Sequence, residues 1–147
     1  MNDFIGNGPI KSPGLAIESG KKLVEAVTAL AYKIDGKVFP VVAAGQNLAA
    51  LTGITIEAGY SCFIGLYVDN AATPAYTAVK GTEFKNPTAA TSGYDLKYMA
   101  EEVRGKCLIG NILITNGSAA QFVGGTTDLD ASNITTVCID NFGLCSK

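Results

Sequence analysis

The chain has 147 residues, a formal net charge of −2, 16% charged residues and no histidine. Its length suits one domain that buries roughly two-thirds of the surface exposed by the unfolded form, so neither a metal nor a disulfide is needed for stability. The charge balance gives no electrostatic case for nucleic acid or an anionic membrane, and the lack of histidine removes Ser-His-Asp and Cys-His triads.

No apolar run approaches the roughly 18 residues of a spanning helix, since Val38 to Leu51 is broken by Pro40, Gly45, Gln46 and Asn47. The first residues carry Asp3 where a secretory signal has a basic region, and no apolar core follows. The expectation is a soluble, non-exported chain. Cys62, Cys107, Cys138 and Cys145 fit no zinc spacing, and three of them lie in apolar strand-like runs, so reduced thiols are expected.

Residues 1 to 20 hold Gly6, Gly8, Pro9, Pro13, Gly14 and Gly20, a density of breakers that predicts an extended arm. Stretched out, some 20 residues reach about 65 Å at most. Phe4, Ile5, Ile10, Leu15 and Ile17 need a covering surface, either a neighbouring molecule or the arm's own domain. Residues 21 to 147 are read as a single β-rich domain. From Leu23 to Ile34 both a helical stripe and a two-residue alternation fit, but Asp35-Gly36 is a hairpin turn between Tyr32-Lys-Ile and Lys-Val-Phe39, which favours strands.

Ile54 to Glu57 alternates as a short strand. Two similar segments follow. Cys62-Phe-Ile-Gly-Leu-Tyr-Val-Asp-Asn70 and Cys107-Leu-Ile-Gly-Asn-Ile-Leu-Ile-Thr-Asn116 are each followed, six residues after the Asn, by an aromatic, Tyr76 or Phe122. Each predicts a β-hairpin, the second turning at Asn116-Gly117. The Cys-to-Asn spacing is eight residues in the first and nine in the second, which leaves duplication and shared strand chemistry both open. The first is apolar on both faces and is expected nearer a sheet centre or subunit contact; Asn111 interrupts the second, which is expected nearer solvent.

Between these segments, Gly81 to Gly93 reads as a loop. Leu96, Met99, Ala100 and Val103 mark one face of a helix of about ten residues. A last strand runs from Asn133 to Asp140. About eight strands joined by tight turns define the expected class: mainly β, an antiparallel β-sandwich or jelly-roll-like barrel with one short helix and the N-terminal arm.

The residues offer little chemistry. Glu101 and Glu102 are adjacent and diverge on a helix, which makes a solvated face rather than an acid/base pair. Asp128, Asp130 and Asn133 give a loose calcium-like spacing without the glycine and terminal glutamate of an EF-hand loop. Asn116-Gly-Ser118 and Asn133-Ile-Thr135 match the glycosylation triplet, but turn and strand chemistry explains them. No catalytic, cofactor-binding or metal-binding residues are assigned.

Val24 to Phe39, Gly105 to Asn116 and Phe122 to Thr135 together resemble a family of small tailed-phage virion proteins, the capsid decoration (cement) or head-fibre components. The likeness lies in hairpin and loop residues, not in catalytic signatures. It implies a non-enzymatic, β-rich homo-oligomer, a trimer by preference, made in the host cytoplasm and mounted on the capsid exterior. There it would clamp adjacent subunits of its partner, the major capsid protein, with no nucleic acid, membrane or cofactor involved. Under this reading the arm residues Phe4, Ile5 and Ile10 contact the capsid or a neighbour. A tail or head-fibre component, or a carbohydrate-binding β-sandwich module, shares the same composition.

Overall fold

The computed structural model describes residues 7–87 and 98–141. Among them are thirteen strands and no α-helix, arranged as several antiparallel sheets that pack as a sandwich and do not close into a barrel. The large sheet has β8 (Tyr60–Asp69) and β11 (Lys106–Asn116) side by side at its middle. β9 (Tyr76–Lys80) and β10 (Phe84–Lys85) line the far side of β8, and β13 (Ile134–Asp140) lies beyond β11. A second layer comprises β1 (Gly8–Pro9), β4 (Leu30–Ile34) and β5 (Lys37–Val42), with β2 (Leu15–Ile17), β3 (Val24–Ala26) and β6 (Gln46–Asn47) as a further small sheet.

The core fills the space between the layers. Leu30, Tyr32 and Ile34 of β4 meet Cys62, Ile64, Leu66 and Val68 of β8, together with Cys107, Ile109, Ile112 and Ile114 of β11. Every one of these side chains is almost wholly buried. The β4–β5 hairpin turns at Asp35 and Gly36, whose φ angles of 49° and 78° are those that a type I′ turn demands of both central residues. Tyr32 stacks on Phe39 across it, ring centroids 5.3 Å apart.

The first of the two similar segments forms the expected hairpin, with Val68 opposite Tyr76. The second does not. β11 ends at Asn116, and the chain then leaves the large sheet, so that β12 (Phe122–Val123) pairs with β7 (Thr55–Ile56) in a separate two-stranded sheet. Only at Ile134 does it return to pair with β11. The cause is the buried Asn116 side chain, whose amide nitrogen donates to the carbonyls of Ile56, Glu57 and Ala120 and so draws the chain toward β7.

The two segments are instead each other's partners, antiparallel, with Ile64 opposite Ile112 and Cys62 opposite Ile114. Their unequal spacing has a structural origin, for the register shifts between Leu108 and Gly110, which makes Ile109 the extra residue of a β-bulge. β11 is as central as β8, and Asn111 is buried rather than facing solvent. Its side-chain oxygen accepts the Ala100 N–H at 2.9 Å.

That bond also bears on the expected helix. Leu96 and Lys97 lie outside the described residues, and Met99 to Val103 are not helical. Their main-chain groups are held by the sheet instead, since besides the Asn111 bond the Tyr67 hydroxyl donates to the Glu101 carbonyl at 2.6 Å. The segment covers the outer face of β8 closely enough that a Cβ on Gly65 would come within 2.4 Å of the Ala100 Cβ. Both faces of β8 are thereby buried, and Phe63 packs on Phe84, which stacks on Tyr98.

From Asn7 onward the N-terminal segment follows its own chain. Gly8 and Pro9 pair with Lys33 and Tyr32, and β2 pairs with β3. The Asp140 carboxylate accepts hydrogen bonds from the Ser12 hydroxyl and from the N–H groups of Gly14 (3.2 Å) and Leu15 (3.0 Å).

Candidate contact surfaces

Several of the groups that could carry chemistry are occupied in the fold. Cys62, Cys107 and Cys138 are thiols, not disulfides. Burial pushes the Cys62 thiol up, the Gly81 main chain and the Lys80 charge opposing it only in part, and burial with the nearby Asp140 does the same to Cys138. A thiol held in its neutral form is a poor nucleophile and a poor metal ligand. Asp128 and Asp130, two members of the calcium-like spacing, are ion-paired with Lys22 and Lys21 respectively, the latter at 3.0 Å. Among the described residues no three His, Cys, Asp or Glu side chains stand close enough to hold a metal ion. Asn116 is buried with its amide nitrogen committed three times over, so this glycosylation triplet is turn chemistry.

One open depression of about 400 Å³ lies over the outer face of the large sheet, lined by Tyr67, Val79, Lys80, Tyr98, Glu101 and Val103. Two of its polar groups serve the fold. The Tyr67 hydroxyl is spent on Glu101, and Lys80 forms an ion pair with Glu83. Burial works to raise the Glu83 carboxyl, but the Lys80 ammonium and the Glu57 N–H outweigh it and hold the group below its usual value.

Of the three arm residues expected to make contacts, Phe4 and Ile5 lie outside the described residues. Ile10 is 47% exposed, and its N–H donates to the Ala31 carbonyl at 2.8 Å, which fixes it beside β4. Pro9 pairs with Tyr32 and faces the core, so Ile10, one residue on, faces away from it. Val38, opposite Lys33, points to the same outer face and is 67% exposed. The breaker-rich segment singles out Ile10 in the sequence but not Val38, although the alternation through Lys37-Val-Phe39 sets Val38 and Phe39 on opposite faces.

Val79, Val103 and Val137, each a little under half exposed, flank the outer face of the large sheet. They too escaped the sequence reading. The strands of Val79 and Val137 were legible, but Val103 falls on the expected helix, and which face the 98–103 segment covers depends on contacts distant in the chain. Compared with known proteins, the chain matches no family model, no curated protein and no solved structure.

Proposed function

We propose that this chain is a non-enzymatic structural protein of a phage virion, a capsid decoration protein that binds the assembled major capsid protein shell and stabilises it against internal pressure. The observation that carries this reading is the outer face of the β1–β4–β5 sheet. There Ile10 and Val38 are displayed on strands held on either side of β4, Ile10 by its N–H to Ala31 and Val38 opposite Lys33. Apolar side chains on a rigid sheet cost little entropy to dock, and a modest area buried per copy becomes large when repeated over many copies on a lattice.

The sequence resemblance points the same way. The engagement of Tyr67 and Lys80 within the fold and the raised thiols favour a binding surface over a catalytic centre. The test is to image, at subunit resolution, particles from cells that express the chain. Density for it between neighbouring capsid subunits is expected, with the Ile10 and Val38 face toward the shell. Particles assembled with the Ile10→Asp, Val38→Asp double variant should lose both the density and the chain's protection against heat. Density confined to the tail or to fibres, or heat protection undiminished in the double variant, would reject the decoration role.

A further inference from the structure

β13 ends the large sheet. One of its edges pairs with β11, and among the described residues the other has no partner. Open edges invite pairing with another chain, and proteins blunt them with prolines, lysines, bulges or short strands. The other outer edges here are blunted in these ways. β9 and β10 are short pieces carrying Lys80 and Lys85, and β5 carries Lys37 and Pro40. β13 reads Ile-Thr-Thr-Val-Cys-Ile-Asp and runs in unbroken register over all seven residues.

The direction of its hydrogen-bonding groups is fixed. Gly117 N–H donates to the Asn133 carbonyl at 2.8 Å and Asn141 N–H to the Ile109 carbonyl at 3.1 Å, which brackets the ladder between β11 and β13. Thr135, Val137 and Ile139 thus turn their main-chain groups toward β11, while Thr136, Cys138 and Asp140 turn theirs outward.

We infer that this edge pairs antiparallel with β13 of a second copy of the chain, about a two-fold axis at Val137. In that register Thr136 of each copy exchanges hydrogen bonds with the second copy's Cys138. Val137 meets its own image in the non-hydrogen-bonded position, where side chains approach most closely. The strand of a different protein could use the same main-chain groups, but two features select a second copy. On the outer face every cross-strand pair is β-branched with β-branched, Val with Val and Thr135 with Ile139, a favourable combination. The only charge of the strand, Asp140, lies opposite Ile134 and away from its image, already engaged by Ser12, Gly14 and Leu15. The contact covers Val137, now 46% exposed. It is isologous and closes at two copies, so it gives a dimer in place of the trimer implied by the resemblance. It concerns the chain alone in solution and stands apart from the capsid reading.

Sedimentation velocity of the full chain over a concentration series is expected to show a dimer. Val137→Lys and Val137→Glu each set like charges across the axis and should raise the dimer dissociation constant by about tenfold or more, whereas a one-to-one mixture of the two variants should restore the dimer. Hydrogen exchange on the unmodified chain is independent of how the variants fold, and the amides of Thr136 and Cys138 should be slowed as concentration rises. A monomer or trimer throughout the series, a dimer indifferent to both substitutions, or exchange at these two amides that ignores concentration would each overturn the inference.

Discussion

Asn116 shows how a single side chain redirects a strand. Its amide nitrogen reaches three carbonyls, its side-chain oxygen accepts from the Ser118 N–H and hydroxyl, and its own carbonyl accepts from Gly59 and Asn86. Replacement by alanine leaves several of these buried partners unmatched, at about 3 kcal/mol of lost stability. Urea unfolding of Asn116→Ala checks this, and a loss below about 1 kcal/mol would show that the amide bonds are not what hold the crossing. Asn-Gly is also a strong hairpin signal, which is why the sequence reading turned the chain back here. What decided otherwise was a set of acceptors some sixty residues away, on Ile56 and Glu57, and no local pattern encodes those. Asp35-Gly36 has no such competing partners, and there the same kind of dipeptide behaved as read.

At the scale of elements, local rules succeeded for β4–β5 and β8–β9, whose partners are neighbours in the chain, but not for β2–β3, where the breakers of residues 1 to 20 point to an extended arm. They failed for residues 99–103, where the apolar spacing satisfied a helical period but Asn111 and Tyr67 claimed the main-chain groups that a helix would bond internally. The turn between β8 and β9 also carries a pH dependence. Hydrogen bonds from the N–H groups of Ala75 and Ala71 lower the Asp69 carboxyl below its usual value of 3.8, outweighing a small opposing effect of burial. A group lowered in the folded state contributes stability that is present above the unfolded value and is lost as pH falls through the folded one. Between Asp69→Asn and the parent chain, thermal melts are therefore expected to differ most above pH 3.8 and to converge as the pH drops further. Melting curves that keep a constant gap down to the acid transition would contradict this. The surface residues belong to this scale as well. Ile10 was legible as apolar and near breakers, but its outward direction follows from the pairing of Pro9 with Tyr32, a long-range register.

Across the whole molecule, the mainly β class and the two-layer packing were legible because low charge, β-branched runs and turn residues recur along the entire chain. The topology was not, since between β11 and β13 the chain leaves the large sheet to pair β12 with β7, a strand that precedes β8. The pairing of the two similar segments with each other has a consequence for how the protein reaches this state. β8 and β11 share their opening Cys-x-Ile-Gly and a long apolar run, so during refolding each resembles the strand that the other must find. Contacts between β8 and β11 dominate the sheet and close over some forty residues, a slow step that leaves both strands exposed meanwhile. At high concentration β8 of one chain competes for β11 of another, and the refolded yield from urea should fall as chain concentration rises, with the loss appearing as soluble exchanged oligomers on gel filtration. A yield independent of concentration would mean that the Ile109 bulge, present in one strand and absent from the other, is enough to tell the two apart.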